Sequence, residues 1–190
     1  MTDHDQHLIN SIENFYKKFI NLTESQTGSL PRVEFNPRWN SPCLKGNSLK
    51  PDMQKTVCWQ PLKREENNDL AGIETALDIQ LHPDIKIFFC TFWSDHINAN
   101  FQHGNLTLLF VWNSEDMENL IKNQLGHALD KKRNHLQLSF FIACTDSDFI
   151  ISIENSTGHI VLERPGSKPE KVLAASLSDF FDELEPGTLS

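Results

Sequence analysis

Histidines, cysteines and closely spaced acids are the residues of this chain whose types could carry chemistry, and they fall into three groupings. In the first, Asp95, His96 and His103 surround a turn with Cys90 shortly before them, and an imidazole beside a thiol would serve a nucleophilic reaction. In the second, Glu115 or Asp116 joins Asp95, His96 and His103, because imidazole and carboxylate together suit zinc or manganese. Neither grouping has a diagnostic spacing. The chain holds no G-x-S-x-G, P-loop, H-E-x-x-H or G-x-G-x-x-G, and eight histidines in 190 residues bring such neighbours together by chance. Surface or turn histidines are the plainer reading, so the expectation is a protein that is not an enzyme and holds no cofactor or metal. Cys43, Cys58, Cys90 and Cys144 stand far apart with no C-x-x-C pair, and read as reduced core thiols.

The third grouping is acidic. Against 17 Lys and Arg the chain has 26 Asp and Glu, a net charge of −9, and the stretch from Glu65 to Glu118 has ten acids with Lys86 as its single base. The whole excess therefore lies in that stretch. Such a field repels nucleic acid and anionic lipid and favours a cationic partner. Glu74 and Asp78 stand four residues apart on an expected helix, where like charges repel, and the nearest bases in sequence are Arg64 and Lys86. A charge run is usually a solvated face, yet a face kept for solubility mixes its signs. A one-signed run fits a docking surface better, and its candidate contact residues are Glu74, Asp78, Asp95, Glu115 and Asp116.

These residues must be positioned by the surrounding elements. Leu8, Ile12, Phe15 and Phe19 follow the helical period, so Asp3 to Leu22 reads as an amphipathic helix, with Thr2 and Asp5 placed as a weak capping box. Thr23 to Pro61 carries Pro31, Pro37, Pro42, Pro51 and Pro61, and is expected to form an irregular cover with one short strand at Thr56 to Trp59. Phe35, Trp39 and Trp59 tie that cover to the core, so no domain boundary falls there. A second helix runs from Asn68 or Asp69 to Leu81, with Leu70, Ile73 and Leu77 inward, and ends at His82-Pro83. Ile85 to Trp93 is apolar on both sides and reads as a central strand. Asn98 to Phe101 and Leu106 to Trp112 would pair about His103-Gly104-Asn105.

Asn113 or Ser114 opens a third helix, with Met117, Leu120, Ile121, Leu125, Ala128 and Leu129 as its apolar face and Lys131, Lys132 and Arg133 at its end. Strands follow near Ser139 to Cys144, Phe149 to Glu154 and His159 to Glu163, the last two joined by a turn at Asn155 to Gly158. Ser176 caps a closing helix from Leu177 to Leu184. With 38% apolar residues, 13 Phe and 4 Trp, residues 1–190 have the material for one folded core. The expected class is α+β, a single domain built on a mainly antiparallel sheet surrounded by helices. No stretch has the length and apolarity of a membrane span, and the first residues lack the pattern of a signal peptide, so a cytoplasmic location is expected.

Seven pieces stand out in order and spacing: Ser41-Pro42-Cys43, Val57-Cys58-Trp59-Gln60-Pro61, Ile73 to Ile79, Leu106 to Leu109 leading to Trp112, Ser114-Glu115-Asp116, Leu125-Gly126-His127 and Phe141-Ile142-Ala143. Together they resemble the Syd family of SecY-interacting bacterial proteins, and more distantly the Smi1/Knr4-like group. The resemblance implies a non-catalytic protein on the cytoplasmic side of the inner membrane, held there peripherally by SecY, the translocon channel subunit, and monitoring that complex. It implies an acidic concave surface, matched here by Glu74, Asp78 and Asp95, with Glu115 and Asp116 beside them. The stretch from Pro37 to Pro51 is longer and more irregular than the family pattern, so no functional residue is placed in it. Cytoplasmic loops of membrane proteins are rich in Lys and Arg, so an acidic domain is drawn to them without inserting into lipid. The alternative, from the wider group, is an immunity-type binder of a basic soluble protein.

Overall fold

In the computed structural model of the chain, which describes residues 2–45, 56–65, 68–102 and 104–187, helix α1 (Asp3–Thr27) begins at a full capping box. The Thr2 hydroxyl accepts from the Asp5 N–H, and the Asp5 carboxylate accepts from the Thr2 N–H at 2.7 Å. The helix outruns its expected end at Leu22 because nothing breaks it before Gly28, which takes φ +73° and returns its N–H to Glu24 O. Only that left-handed residue turns the chain toward the cover.

The cover is more regular than its prolines imply. Strands β1 (Arg32–Glu34), β2 (Leu44–Lys45) and β3 (Thr56–Trp59) form a small antiparallel sheet in the order β1-β3-β2. Trp59 is buried and meets Trp112 edge to face at 5.8 Å, so the cover is fused to the main core. Residues 46–55, which include Pro51, and His103 lie outside the described residues.

Two expectations fail between residues 62 and 93. The second helix shortens to α2 (Ala71–Leu77), because Asp78 adopts φ +52° and ends it. The expected central strand from Ile85 to Trp93 is instead helix α3 (Pro83–Cys90). Pro83 sits at its start with a pre-set φ, and the His82 ring nitrogen accepts from the Asp84 N–H. Asp84, Ile85, Phe88 and Phe89 are buried on one helical face while Lys86, Ile87 and Cys90 are only partly covered, so the residues that read as two sides of a strand are the inner face and flanks of a helix. Only β5 (Phe92–Trp93) is extended, and it pairs with β4 (Leu62–Lys63).

The main sheet has seven antiparallel strands in the order β11-β10-β9-β8-β7-β6-β12. Strands β6 (Ile97–Phe101) and β7 (Gly104–Leu108) pair Phe101 with Gly104, so the turn falls one residue earlier than the glycine suggests, with Gln102 at φ +45°. Helix α4 (Ser114–Arg133) crosses to β8 (Ser139–Thr145), which continues as a meander through β9 (Ile150–Glu154), β10 (Ile160–Glu163) and β11 (Pro169–Ala174). Strand β11 was not legible in the sequence: it is an exposed edge that begins with proline and shows no alternation. Helix α5 (Leu177–Glu183), capped by Ser176 as expected, precedes the two-residue strand β12 (Glu185–Pro186).

The core is one continuous cluster in which Phe15, Phe88, Phe110 and Phe181 interlock, Phe88 stacking on Phe110 at 4.9 Å. The arrangement is a single-domain α+β fold of helices around a mainly antiparallel sheet. Under α4 the burial differs from the apolar stripe expected. Leu129 is 42% exposed, while Gln124, His127 and Lys131 are enclosed. Lys131 pairs with Glu163, Ser139 Oγ donates to Glu163 at 2.6 Å, and Gln124 bonds both backbone groups of Phe141. These polar contacts fix α4 on the sheet. None of the four cysteines is in a disulfide, Cys43 lying in the core and Cys144 exposed.

Candidate partner-binding site

The five candidate acids separate into two places. Asp95 follows Ser94, which is fully buried and donates its N–H to Val111 O at 2.9 Å, so the chain leaves the core at a fixed point. The Asp95 Oδ1 accepts from the His96 N–H at 2.8 Å. Burial pushes its pKa up, and the nearby Asp116 charge adds to this, against the opposing effect of the His96 N–H. Among the described residues Asp95 has no ion pair.

Asp116 is placed by the start of α4. Asn113 caps the helix by accepting from the Asp116 N–H at 2.9 Å, and the Asp116 carboxylate reaches back to accept from the Trp112 N–H at 2.9 Å. The cover closes over this corner: Ser41 Oγ donates to Trp112 O at 2.6 Å, and Asn113 Nδ2 donates to Asn40 O at 2.8 Å. Glu115, next to Asp116 in the first turn, is exposed. Asp95 thus lies near enough to Asp116 for the charge of one to act on the other, and Glu115 is exposed beside Asp116.

Beside Asp95 lies a cleft of about 280 Å³, floored by Phe19, Trp59 and Ile97 and flanked by Thr23, Arg32 and Asp95. It forms where the last turns of α1, the strand β3 and the start of β6 meet.

Glu74 and Asp78 lie elsewhere. Lys132 Nζ donates to Leu77 O at 2.7 Å, so α2 packs at the end of α4, while Asp116 is in its first turn. The sixteen residues from Asp116 to Lys132 span about 24 Å of helix at about 1.5 Å each. That is about three screening lengths at physiological salt, so the two groups do not act as one field. Glu74 also differs from its sequence reading. It pairs with Lys86 at 2.7 Å and accepts from the Leu81 N–H at 2.9 Å, and the Lys86 contact, followed by that N–H, lowers its pKa. Sequence distance concealed Lys86, which α3 brings back over α2. Asp78, the residue that ends α2, is exposed and shares no helix face with Glu74.

Other acids of the central run are likewise absorbed. Arg64 pairs with Asp69, and the buried Asp84 accepts from or pairs with His4 at 2.8 Å and lies 3.7 Å from His82. Of the nucleophilic grouping, His103 lies outside the described residues, and Cys90 ends α3 with its thiol pushed up to about 11 by burial, away from the thiolate a nucleophile needs. Among the described residues no three His, Cys, Asp or Glu side chains are arranged to hold a metal ion. No helix among them is long and apolar enough to cross a membrane.

Comparison with known proteins places this architecture. The family described as Syd protein (SUKH-2) matches residues 9–186. The chain is 35% identical over 179 residues to Protein Syd of Pseudoalteromonas atlantica, covering 94% of this chain and 95% of that one. It is 37% identical over 190 residues to Protein Syd of Colwellia psychrerythraea, covering 97% and 95% of the two chains. With Protein Syd of Psychromonas ingrahamii the identity is 39% over 174 residues, 91% of this chain and 92% of the other. Near-complete coverage at these identities means that the whole fold is shared, the cover and α4 included, and the chain belongs to the Syd family.

Proposed function

We propose that this chain is a non-catalytic binding protein of the cytoplasmic face of the inner membrane, docking an acidic surface on the basic cytoplasmic loops of SecY, as one Syd-like domain. The observation that most supports this reading is Asp95 at the side of an open cleft, with no ion pair among the described residues and near enough to Asp116 for that charge to act on it, while Glu115 is exposed beside Asp116. Unpaired carboxylates at a concave corner attract Lys and Arg, and such charges act chiefly on encounter and register. Asp95, Glu115 and Asp116 form the primary contact in this proposal. Glu74 and Asp78 form a second, outlying patch that a long loop or a second loop of SecY would reach.

The test is retention of detergent-solubilised SecYEG on the immobilised chain across a salt series. Retention at low salt, its loss at high salt, and at least tenfold weaker binding by the double variant Asp95→Asn/Glu115→Lys are the expected results. Failure to retain SecY at low salt, or equal binding by the folded double variant, refutes the proposal.

A further inference from the structure

The cleft beside Asp95 has two kinds of wall. Phe19, Trp59 and Ile97 are 6%, 2% and 1% exposed and give it a packed apolar floor. Asp95 stands at its side with Oδ1 occupied by the His96 N–H and no ion pair among the described residues. Arg32 also lines the cleft, but its guanidinium is committed to the cover. Its Nε donates to Thr56 Oγ1 at 2.9 Å, Nη2 to Thr56 O at 2.8 Å, and Nη1 approaches Cys58 Sγ at 3.3 Å.

A half-buried carboxylate without a counter-charge is costly, and the cost falls when a cation is brought to it. The apolar floor narrows the kind of cation. A hydrated inorganic ion gains nothing from Phe19 and Trp59, whereas Lys and Arg carry a charged head on an apolar stem. Size narrows it further, since about 280 Å³ lies just below the roughly 300–1,000 Å³ usual for small-molecule and cofactor sites. A single Arg or Lys side chain fits within it.

We propose that this cleft is an anchor pocket for a single Arg or Lys side chain of the protein partner, the stem lying on Trp59 and Phe19 and the charged head meeting Asp95. The inference rests on the reading that the partner surface is basic, and adds that one residue of that surface is inserted while the others stay at the rim.

The test uses the full chain labelled with ¹⁵N and two capped tripeptides, acetyl-Gly-Arg-Gly-amide and acetyl-Gly-norleucine-Gly-amide, followed by NMR. Saturable shifts at the Trp59 indole, Ile97 and Gly187 are expected with the arginine peptide, with at least tenfold weaker binding of the norleucine peptide. Asp95→Asn weakens the arginine peptide at least tenfold, while Asp182→Asn, which removes an exposed charge on α5 outside the cleft, leaves it within twofold. Equal binding of the two peptides, no effect of Asp95→Asn, or no shift at the solubility limit of the arginine peptide overturns the pocket. If the arginine peptide binds as expected but SecY is not retained, the pocket stands and the SecY reading falls. If SecY is retained equally by the chain and by Asp95→Asn, the pocket falls and the docking surface stands.

Discussion

Lys131 on α4 and Glu163 on β10 form an ion pair with neither side chain exposed to solvent, and Ser139 and His127 close around the same carboxylate. Removing one member leaves an uncompensated charge in the core. Replacing Lys131 with Met alone is therefore expected to cost about 3–5 kcal/mol in urea unfolding. Lys131→Met/Glu163→Gln together should recover much of that loss, because the new amide keeps an acceptor for Ser139 without a charge. A double variant as unstable as Lys131→Met would show that the ion pair itself, rather than freedom from unpaired charge, holds α4 down.

Glu163 and Asp95 carry opposite pH signatures. Burial raises the Glu163 pKa, but hydrogen bonds from His127, Lys131 and Ser139 outweigh it, and the net value lies below the usual 4.5. Its stabilisation is complete above 4.5 and is lost as the pH falls through the lowered folded value. Asp95 is raised above 3.8, chiefly by burial, so it favours the fold below 3.8 and ceases to do so as the pH rises through its folded value. Asp95→Asn should therefore unfold at a higher temperature than the parent at pH 7, and the gain should vanish at pH 3. No difference between parent and variant at pH 7 would refute the assignment of Asp95 as a strained charge.

Gly158 closes the β9–β10 turn at φ +76°, and a methyl group there would come within 2.5 Å of the His82 ring. That ring cannot retreat freely, since its nitrogen caps α3. Gly158→Ala should destabilise the fold by about 1–3 kcal/mol, seen as a lower midpoint in urea at unchanged slope. A change under about 0.5 kcal/mol, the range of neutral surface substitutions, would mean that the ring moves without losing its cap.

The two acidic patches should separate by experiment. Asp78→Lys alters an exposed charge at the end of α2, which packs near Lys132, about 24 Å of helix from Asp116, and is expected to change SecY association no more than about threefold. Glu74→Lys is different, because it breaks the Lys86 pair and the bond to the Leu81 N–H, so it should lower stability even without a partner. If Asp78→Lys instead matches Asp95→Asn/Glu115→Lys in loss of binding, the primary contact extends to the α2 end.

What the sequence revealed follows from which signals are local. The cap at Thr2, the period of α1, Asn113 opening α4, and the Asn155 to Gly158 turn depend on neighbours in the chain, and each is found where its residues point. Ile85 to Cys90 misled because the flank residues Ile87 and Cys90 of this short helix are apolar too, leaving Lys86 alone to mark a polar face. The candidate acids were visible as types but not as a set. Whether Glu74 has a counter-charge depends on the path of α3, and whether Asp95 meets Asp116 depends on the crossing of α4. His127 and Lys131 could be read as helix-face residues, yet nothing in sequence marks Glu163 as their partner.

The way α5 and β12 close the fold also bears on how the chain is made. Phe181 packs on Phe15, and Glu185 pairs with Lys18, so residues late in the chain cover the inner face of the first helix. During synthesis α1 emerges first, and its Phe15 must wait for Phe181 until the segment from Leu177 to Pro186 has left the ribosome. Nascent chains stalled before Leu177 should then be protease-sensitive and bind general chaperones, with resistance arriving in one step once Pro186 clears the exit tunnel.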